Sequence, residues 1–178
     1  MHRISPIPLT VQAFADFGDV VEASPKKMFS INKGSMNRFH DLANIDVERD
    51  GGRPMVNIFR GTPYPFPLTI RMMENHPLGS QFFMPLDPFD YLVAVAEAKS
   101  TVMPEDVLVF SCSCKQGVNF KPGVWHHPLL VLAEQQDFLV IDRAGAGENP
   151  VEQDLASPIM VDLDENNPQG MLEPRPRQ

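Results

Sequence analysis

Short apolar stretches alternate with polar, proline-rich or glycine-rich turns along most of the chain, which is the pattern of a β protein. The run Tyr91–Glu97 is apolar with little alternation, so we expect a strand buried on both faces. About ten residues separate successive stretches, a spacing typical of a closed barrel or jelly roll. The pattern predicts eight or nine strands, over approximately 29–32, 41–47, 54–60, 69–74, 81–85, 91–97, 107–114, 124–132 and 137–142.

One segment near the N-terminus has helical rather than strand periodicity. Val11, Phe14 and Phe17 recur at intervals of three residues, Thr10 can cap the first turn, and Gly18 ends the pattern. We therefore predict a short helix over 11–17 that covers one end of the sheet. The fold class expected from the whole chain is mainly β, a jelly-roll barrel with one or two short helices.

Composition narrows the class of protein. The 178 residues are enough for one domain with its own core, which we place at residues 1–155. The 18 prolines are spread along the chain at about twice their usual share. Because proline breaks the interior of helices, a helical bundle is excluded.

The chain is acidic, with a formal net charge of −8, and most of the excess lies at its C-terminal end. Residues 148–178 contain seven acids and two arginines, whereas residues 1–147 contain sixteen acids and thirteen bases. An acidic domain binds polyanions poorly, so we expect neither nucleic acid nor membrane as a partner. Residues 156–178 predict an acidic, proline-rich tail that is loosely ordered or disordered.

The two cysteines indicate a reducing compartment. Cys112 and Cys114 are two residues apart and cannot easily form a disulfide without strain, so we interpret them as structural strand residues. The start MHRISPIPLT lacks the apolar core of a signal peptide, and no apolar run approaches the ~18 residues of a spanning helix. We expect a cytoplasmic protein.

Four residues have the spacing of the two cupin motifs. Glu74 and His76 alternate on a strand and point the same way, Gln81 follows a four-residue turn, and His126 comes three residues after Pro122-Gly123. Glu74 stands where the usual motif has a histidine, and Gln81 where it has a glutamate. The set is a candidate site for a divalent metal such as nickel or zinc. A metal-free pocket that binds an organic anion by hydrogen bonds is an equal alternative.

Neighbouring residues on a strand face opposite sides, so only one of His126 and His127 can point into the barrel. The distance from Pro122-Gly123 favours His126.

The chain resembles the ureidoglycolate lyase family over roughly residues 6–155. The resemblance rests on RFHDL, HPLGSQ and GVNFKPGVWHHPL, in this order and at these distances. It implies a cupin-like barrel, or double-stranded β-helix, that is a homodimer. It also implies a carbon–nitrogen lyase that splits ureidoglycolate, in its (S) form, into glyoxylate and urea during allantoin and purine breakdown.

The resemblance also implies roles for individual residues. We expect His126, Glu74 and His76 to act as acids, bases or metal ligands, with Gln81 beside them. Lys115 and Arg71 are candidate anchors for the substrate carboxylate. Asn32, Arg38 and His40, together with Asp41, lie in another family segment and are candidates either for a second wall of the pocket or for locking a loop. Arg38 with Asp41 could equally form a structural ion pair.

Two other functions stay open from the sequence. One is a non-catalytic cupin that binds a small carboxylate. The other is a ureidoglycolate amidohydrolase, although that chemistry usually needs a two-metal site with more ligands than this chain supplies.

Overall fold

A computed structural model describes residues 2–163, which form fifteen strands and no α-helix. Four three-residue 3₁₀ turns interrupt the loops, and no helix among the described residues could span a membrane. The strands are β1 (His2–Ile4), β2 (Ile7–Pro8), β3 (Gly18–Val21), β4 (Met28–Ile31), β5 (Met36–Phe39), β6 (Arg53–Gly61), β7 (Thr69–Asn75), β8 (Gln81–Pro85), β9 (Tyr91–Ala96), β10 (Leu108–Cys112), β11 (Gly117–Phe120), β12 (Trp125–His126), β13 (Leu130–Val131), β14 (Gln136–Ala144) and β15 (Val151–Val161).

Two sheets form the body of the domain. The larger has the order β1-β15-β7-β12-β9-β10-β2, with β13 also paired to β9, and the smaller has the order β3-β11-β8-β14-β6. Strands β4 and β5 pair with each other as a separate two-stranded hairpin. Because β7 lies in the larger sheet and β8 in the smaller, the turn between them carries the chain from one sheet to the other. This mainly β, curled architecture confirms the expected cupin-like fold class.

Strand β9 runs through the middle of the molecule, and all six of its residues are buried, as its unbroken apolar sequence predicted. Tyr91, Val93 and Val95 belong to the core cluster that includes residues of both sheets. The alternate residues Leu92, Ala94 and Ala96 belong to a second cluster on the other face.

The predicted helix over 11–17 is wrong, because this segment consists of turns. Thr10 does accept a hydrogen bond from the Ala13 N–H at 3.1 Å, but the helical pattern does not continue beyond isolated turns. A helix of two turns has little intrinsic stability. The segment is instead held by Phe14 and Phe17, which are buried among aromatic rings of the core.

The strand predicted at 41–47 is also wrong. This segment is extended, but the Asn44 N–H donates to the Asp19 carboxylate and the Asp46 N–H to the Ser80 hydroxyl, while the Asp46 carbonyl accepts from the Ser80 N–H. Without a neighbouring ladder it does not form a strand.

The expected domain boundary after residue 155 falls inside β15, which continues to Val161. Ile159 and Met160 pair with β7, and Ile159 is fully buried. The folded domain therefore includes residues 156–161, which we expected in the tail. The remaining part of the predicted tail, residues 164–178, lies outside the described residues.

Phe14 tests whether burial holds the N-terminal turn segment. Its ring contacts Phe17, Phe110 and Phe120, and it has no exposed surface. Phe14→Ala should lower the free energy of unfolding by about 3–5 kcal/mol through lost burial and a cavity. Urea denaturation measures this change. Val11→Ala, in the same segment but 57% exposed, is the control and should change it by less than about 0.5 kcal/mol; equal effects would contradict the account.

Candidate active site

Strand pairing brings the predicted residues together. Glu74 on β7 lies directly opposite His126 on β12, and His126 is also paired with Val95 of β9. His76 follows β7, and its carbonyl accepts a hydrogen bond from the Gly123 N–H. Gly123 has φ +82°, a left-handed conformation that glycine adopts readily, so it makes the turn before β12. Gln81 begins β8 and reaches the same point from the smaller sheet.

The distances define a compact cluster. One ligand atom from each of Glu74, His76 and His126 lies within 4.8 Å of the other two. His126 Nε2 is 3.6 Å from Glu74 Oε1 and 3.2 Å from Gln81 Oε1. His126, and not His127, therefore joins the other predicted ligands, as the spacing from Pro122-Gly123 indicated.

The tautomer of His126 follows from its other contact. Nδ1 lies 3.1 Å from the Val124 carbonyl oxygen, which can only accept, so Nδ1 carries the proton and donates it. Burial, together with the neighbouring His76, lowers the pKa of His126 to about 3 and keeps the ring neutral. Nε2 therefore presents a lone pair to the cluster.

The amide of Gln81 is oriented by Asp142. The Asp142 carboxylate accepts hydrogen bonds from the Gln81 side chain and, at 3.2 Å, from Asn57 Nδ2. A carboxylate can accept but not donate, so the NH₂ group of Gln81 faces Asp142. Its oxygen then faces His126, which agrees with the 3.2 Å contact to Nε2.

An acceptor-only arrangement results, because the Gln81 oxygen and the Glu74 carboxylate both approach the His126 lone pair without a proton between them. His76 Nε2 is buried and has no hydrogen-bond partner among the described residues. Imidazole nitrogens and oxygens suit nickel or zinc, and ligands about 2.1 Å from one ion lie about 3–4 Å from one another. The donor set and the orphaned nitrogen fit a divalent cation.

Burial shifts the other titrating groups of the cluster as well. It lowers the pKa of His76, which favours the neutral imidazole that a metal needs. Burial, reinforced by the nearby charge of Glu152, raises the pKa of Glu74 above the usual carboxyl value. Glu74 is consequently more basic than an exposed glutamate.

A cavity of about 490 Å³ opens onto the cluster, and Glu74 and Gln81 form part of its wall. His126 is 2% exposed and lies behind these two residues. The other lining residues are mostly apolar or proline: Phe59, Arg60, Gly61, Thr62, Pro63, Tyr64, Pro65, Phe83, Pro128, Leu129, Val131 and Phe138. Such a concave apolar site with a few polar groups is typical of small-molecule binding.

Tyr64 and Arg60 are cavity residues that the sequence analysis missed. Tyr64 packs edge-on against His127 at 5.1 Å between ring centroids, and burial together with Glu74 raises the pKa of its phenol. Arg60 donates two hydrogen bonds of 2.8 Å to the two oxygens of Asp137. Arg60 lies near the end of β6, and Tyr64 follows in the loop GTPYPFPLTI, so neither belongs to the motifs quoted above.

The remaining predicted site residues lie elsewhere. Arg71 is exposed in a neighbouring groove that shares Tyr64 and Pro65 with the cavity, and Lys115 is exposed in the turn after β10. Neither belongs to the cavity wall, because Arg71 has the opposite strand parity to Glu74 and Lys115 is at the far end of β10. Asn32, Arg38 and His40 are exposed on or beside the β4–β5 hairpin and do not line the cavity either.

The match to known proteins covers the stretch of chain that contains all of these site residues. The sequence model of the ureidoglycolate lyase family matches residues 1–162, nearly all of the described chain. The chain belongs to this family. The match continues beyond residue 155 to the end of β15, so the family domain and the folded domain coincide.

Curated relatives of the family resemble the chain over most of their length. A ureidoglycolate lyase from Burkholderia mallei is 49% identical over 161 residues, which is 90% of this chain and 94% of the relative. One from Azotobacter vinelandii is 48% identical over 84% of this chain and 90% of its own. One from Rhizobium leguminosarum is 47% identical over 86% of this chain and 92% of the relative.

The protonation of His126 can be observed directly. In the metal-free protein we expect its ¹⁵N resonances to show a neutral ring with the proton on Nδ1 from pH 8 down to pH 5, because its pKa is about 3. NMR of ¹⁵N-histidine-labelled protein measures this, and the missing signals of His126→Gln assign the resonances. A midpoint near pH 6.5, the ordinary value for histidine, would contradict the geometry.

Proposed function

We propose that the chain is a ureidoglycolate lyase in which Glu74, His76, Gln81 and His126 hold a divalent cation such as nickel or zinc. The observation that carries this proposal is the convergence of acceptor atoms on a buried point, with His76 Nε2 lacking any partner among the described residues. Membership of the family supports the reaction, and the cavity beside the cluster supports a small substrate.

The reaction divides into two proton movements and one bond cleavage. Ureidoglycolate has one carbon that bears a hydrogen, a hydroxyl, a carboxylate and the ureido nitrogen. Loss of the hydroxyl proton forms the carbonyl of glyoxylate, the carbon–nitrogen bond breaks, and its electron pair goes to nitrogen. Protonation of that nitrogen gives urea. The site must therefore accept one proton at oxygen and deliver one at nitrogen.

Glu74 is suited to accept the hydroxyl proton. Its carboxylate lines the cavity, and one oxygen is 3.6 Å from His126 Nε2, which leaves the second available to substrate. Burial raises the pKa of Glu74 in the metal-free site, and a bound cation would oppose that rise, so the assignment rests on the position of this free oxygen in the cavity. A bound divalent cation would supply Lewis-acid stabilisation of negative charge at the substrate oxygen.

Tyr64 is suited to assist the departing nitrogen. It lines the same cavity, and burial raises the pKa of its phenol, so the hydroxyl keeps its proton near neutral pH. A phenol in that state can donate a hydrogen bond to the ureido group as charge develops there. The apolar wall formed by Phe59, Phe83 and Phe138 limits water around it.

The proposal also covers the metabolic pathway, the cell compartment and the oligomeric state. We place the reaction in allantoin and purine degradation in the cytoplasm, and the two free cysteines support a reducing compartment. We further propose a homodimer, because the edge strand β6 exposes Val56 and Ile58, and apolar groups on an unpaired edge favour association.

The products test the reaction. Wild-type protein should release glyoxylate and urea in equal amounts from (S)-ureidoglycolate, and His126→Ala should reduce turnover at least about a thousandfold with the fold retained in circular dichroism. His2→Gln, on β1 and outside the site, is the control and should retain normal turnover. Ammonia in place of urea would indicate an amidohydrolase, and binding without turnover would indicate a non-catalytic cupin.

Metal removal tests the ligand set. Exhaustive chelation should abolish turnover, and added nickel or zinc should restore it, because a cation satisfies the convergent acceptors. In equilibrium dialysis with elemental analysis, Glu74→Gln should weaken metal binding at least about tenfold. The control Glu105→Gln, in an exposed loop, should bind like wild type. Full turnover in protein shown to be metal-free would mean that these residues act through hydrogen bonds alone.

A further inference from the structure

Among the described residues, the cavity wall has no unpaired basic side chain for a substrate carboxylate. Arg60 is the basic residue in its described wall, and its Nε and Nη2 donate to the two oxygens of Asp137, so its positive charge is already balanced by a carboxylate. Glu74 adds negative charge to the same wall. Ureidoglycolate and glyoxylate are both carboxylates, and binding them in a partly apolar cavity calls for a charge-assisted donor.

The β4–β5 hairpin and the residues beside it carry an excess of positive charge. Residues 25–40 contain Lys26, Lys27, Lys33 and Arg38 and no acid, a local charge of +4 in a chain of net −8. Among the described residues no carboxylate pairs with Arg38, whose guanidinium lies 5.7 Å from the ring centroid of Phe29. Phe29 also packs edge-on against His40, with ring centroids 5.6 Å apart, so Arg38 lies beside an aromatic pair.

The hairpin also exposes apolar side chains to solvent. It pairs with neither of the two main sheets in the described chain. Its apolar residues Met28, Phe29 and Met36 are exposed, at 41%, 45% and 57%. A two-stranded hairpin with so little burial has little stability of its own, and its apolar side chains favour contact with another surface.

A complementary surface lies at the mouth of the cavity. Strand β6 forms one edge of the five-stranded sheet, and within residues 2–163 it pairs only with β14. Its outward residues Val56 and Ile58 are 67% and 56% exposed, and its last residues, Phe59 to Gly61, line the cavity. Val56, Ile58 and Arg60 alternate on one face of β6, and Arg60 is also part of the cavity wall, so a segment seated on this face would lie on the Arg60 side of the cavity mouth.

We propose that the hairpin of a second copy of this chain docks on the β6 edge and supplies Arg38 to the cavity as the carboxylate anchor; this rests on the proposed function. The hairpin follows β3, which forms the opposite edge of the sheet from β6. In a twofold dimer each hairpin can thus reach the other copy's β6, and both contacts form at once.

The second copy is favoured as the occupant for three reasons. It brings apolar residues to the exposed apolar residues of β6, it brings Lys33 and Arg38 to a cavity whose wall carries Glu74, and it supplies the unpaired basic side chain that the wall lacks. Each active site is then complete only in the dimer.

Substitution of Arg38 tests whether it binds the substrate carboxylate. Arg38→Ala should raise KM for ureidoglycolate about tenfold to a hundredfold through loss of a charge-assisted bidentate contact. Lys99→Ala, an exposed lysine paired with Asp106 outside the hairpin, is the matched control and should leave KM unchanged. Normal KM in Arg38→Ala would overturn the proposal.

The decisive variant is a heterodimer of Arg38→Ala and His126→Ala chains, co-expressed with two tags and purified through both. One of its sites would have His126 from its own chain and Arg38 from the partner copy, so kcat/KM should be about half that of wild type. If Arg38 acted within its own chain, both sites would be defective, and kcat/KM would not exceed the Arg38→Ala level. That result, or failure to recover any heterodimer, would overturn the proposal.

Docking can be measured without activity, which separates this proposal from the assigned reaction. Ile58→Glu on β6 and Phe29→Glu on the hairpin should each convert the dimer to a folded monomer in light scattering coupled to size exclusion. The control Leu108→Glu places the same charge at an exposed apolar residue of the other sheet and should remain dimeric. A protein that fails to split ureidoglycolate but shows these changes would refute the reaction and retain the interface; dimeric Ile58→Glu and Phe29→Glu proteins would refute the interface.

Discussion

The hydrogen bond from His126 Nδ1 to the Val124 carbonyl is the constraint on which the rest of the site depends. It fixes the proton on one nitrogen of a ring with 2% of its surface exposed and leaves a lone pair on the other. Everything that meets that lone pair is itself an acceptor, from the Gln81 oxygen to the Glu74 carboxylate. Three acceptors at such distances repel one another unless a cation lies among them, so a hydrogen bond of ordinary strength determines the chemistry of the pocket.

Packing and strand pairing from both sheets hold the His126 ring in place. His126 stacks on Phe120 with centroids 4.4 Å apart, and Phe120 contacts Phe14 of the N-terminal turn segment. Strand pairing sets Glu74 opposite His126, and the crossing from β7 to β8 brings Gln81 from the second sheet. Asp142, on β14, then turns the Gln81 amide. The ligands come from both sheets, so the cluster forms only when the sheets pack together.

Sequence reasoning was most successful where local pattern and tertiary structure agree. The apolar run of β9 predicts its complete burial, and the alternation of Glu74 and His76 predicts that they face the same site. It failed where long-range contacts decide: residues 11–17 have helical periodicity but are held in turns by core packing, and 41–47 has strand character but no strand beside it. Tyr64 and Arg60 lie in no motif, and only the fold brings them to the cavity. The continuation of β15 beyond residue 155 depends on pairing with β7, which composition does not reveal.

X-ray absorption at the metal edge tests the central claim most directly. Nickel- or zinc-loaded protein should give a first shell of nitrogen and oxygen with the outer-shell scattering of two imidazole rings, from His76 and His126. In His126→Ala, protein that still binds metal should show one ring. A shell without imidazole scattering, or one unchanged by His126→Ala, would place the ion elsewhere and contradict the account.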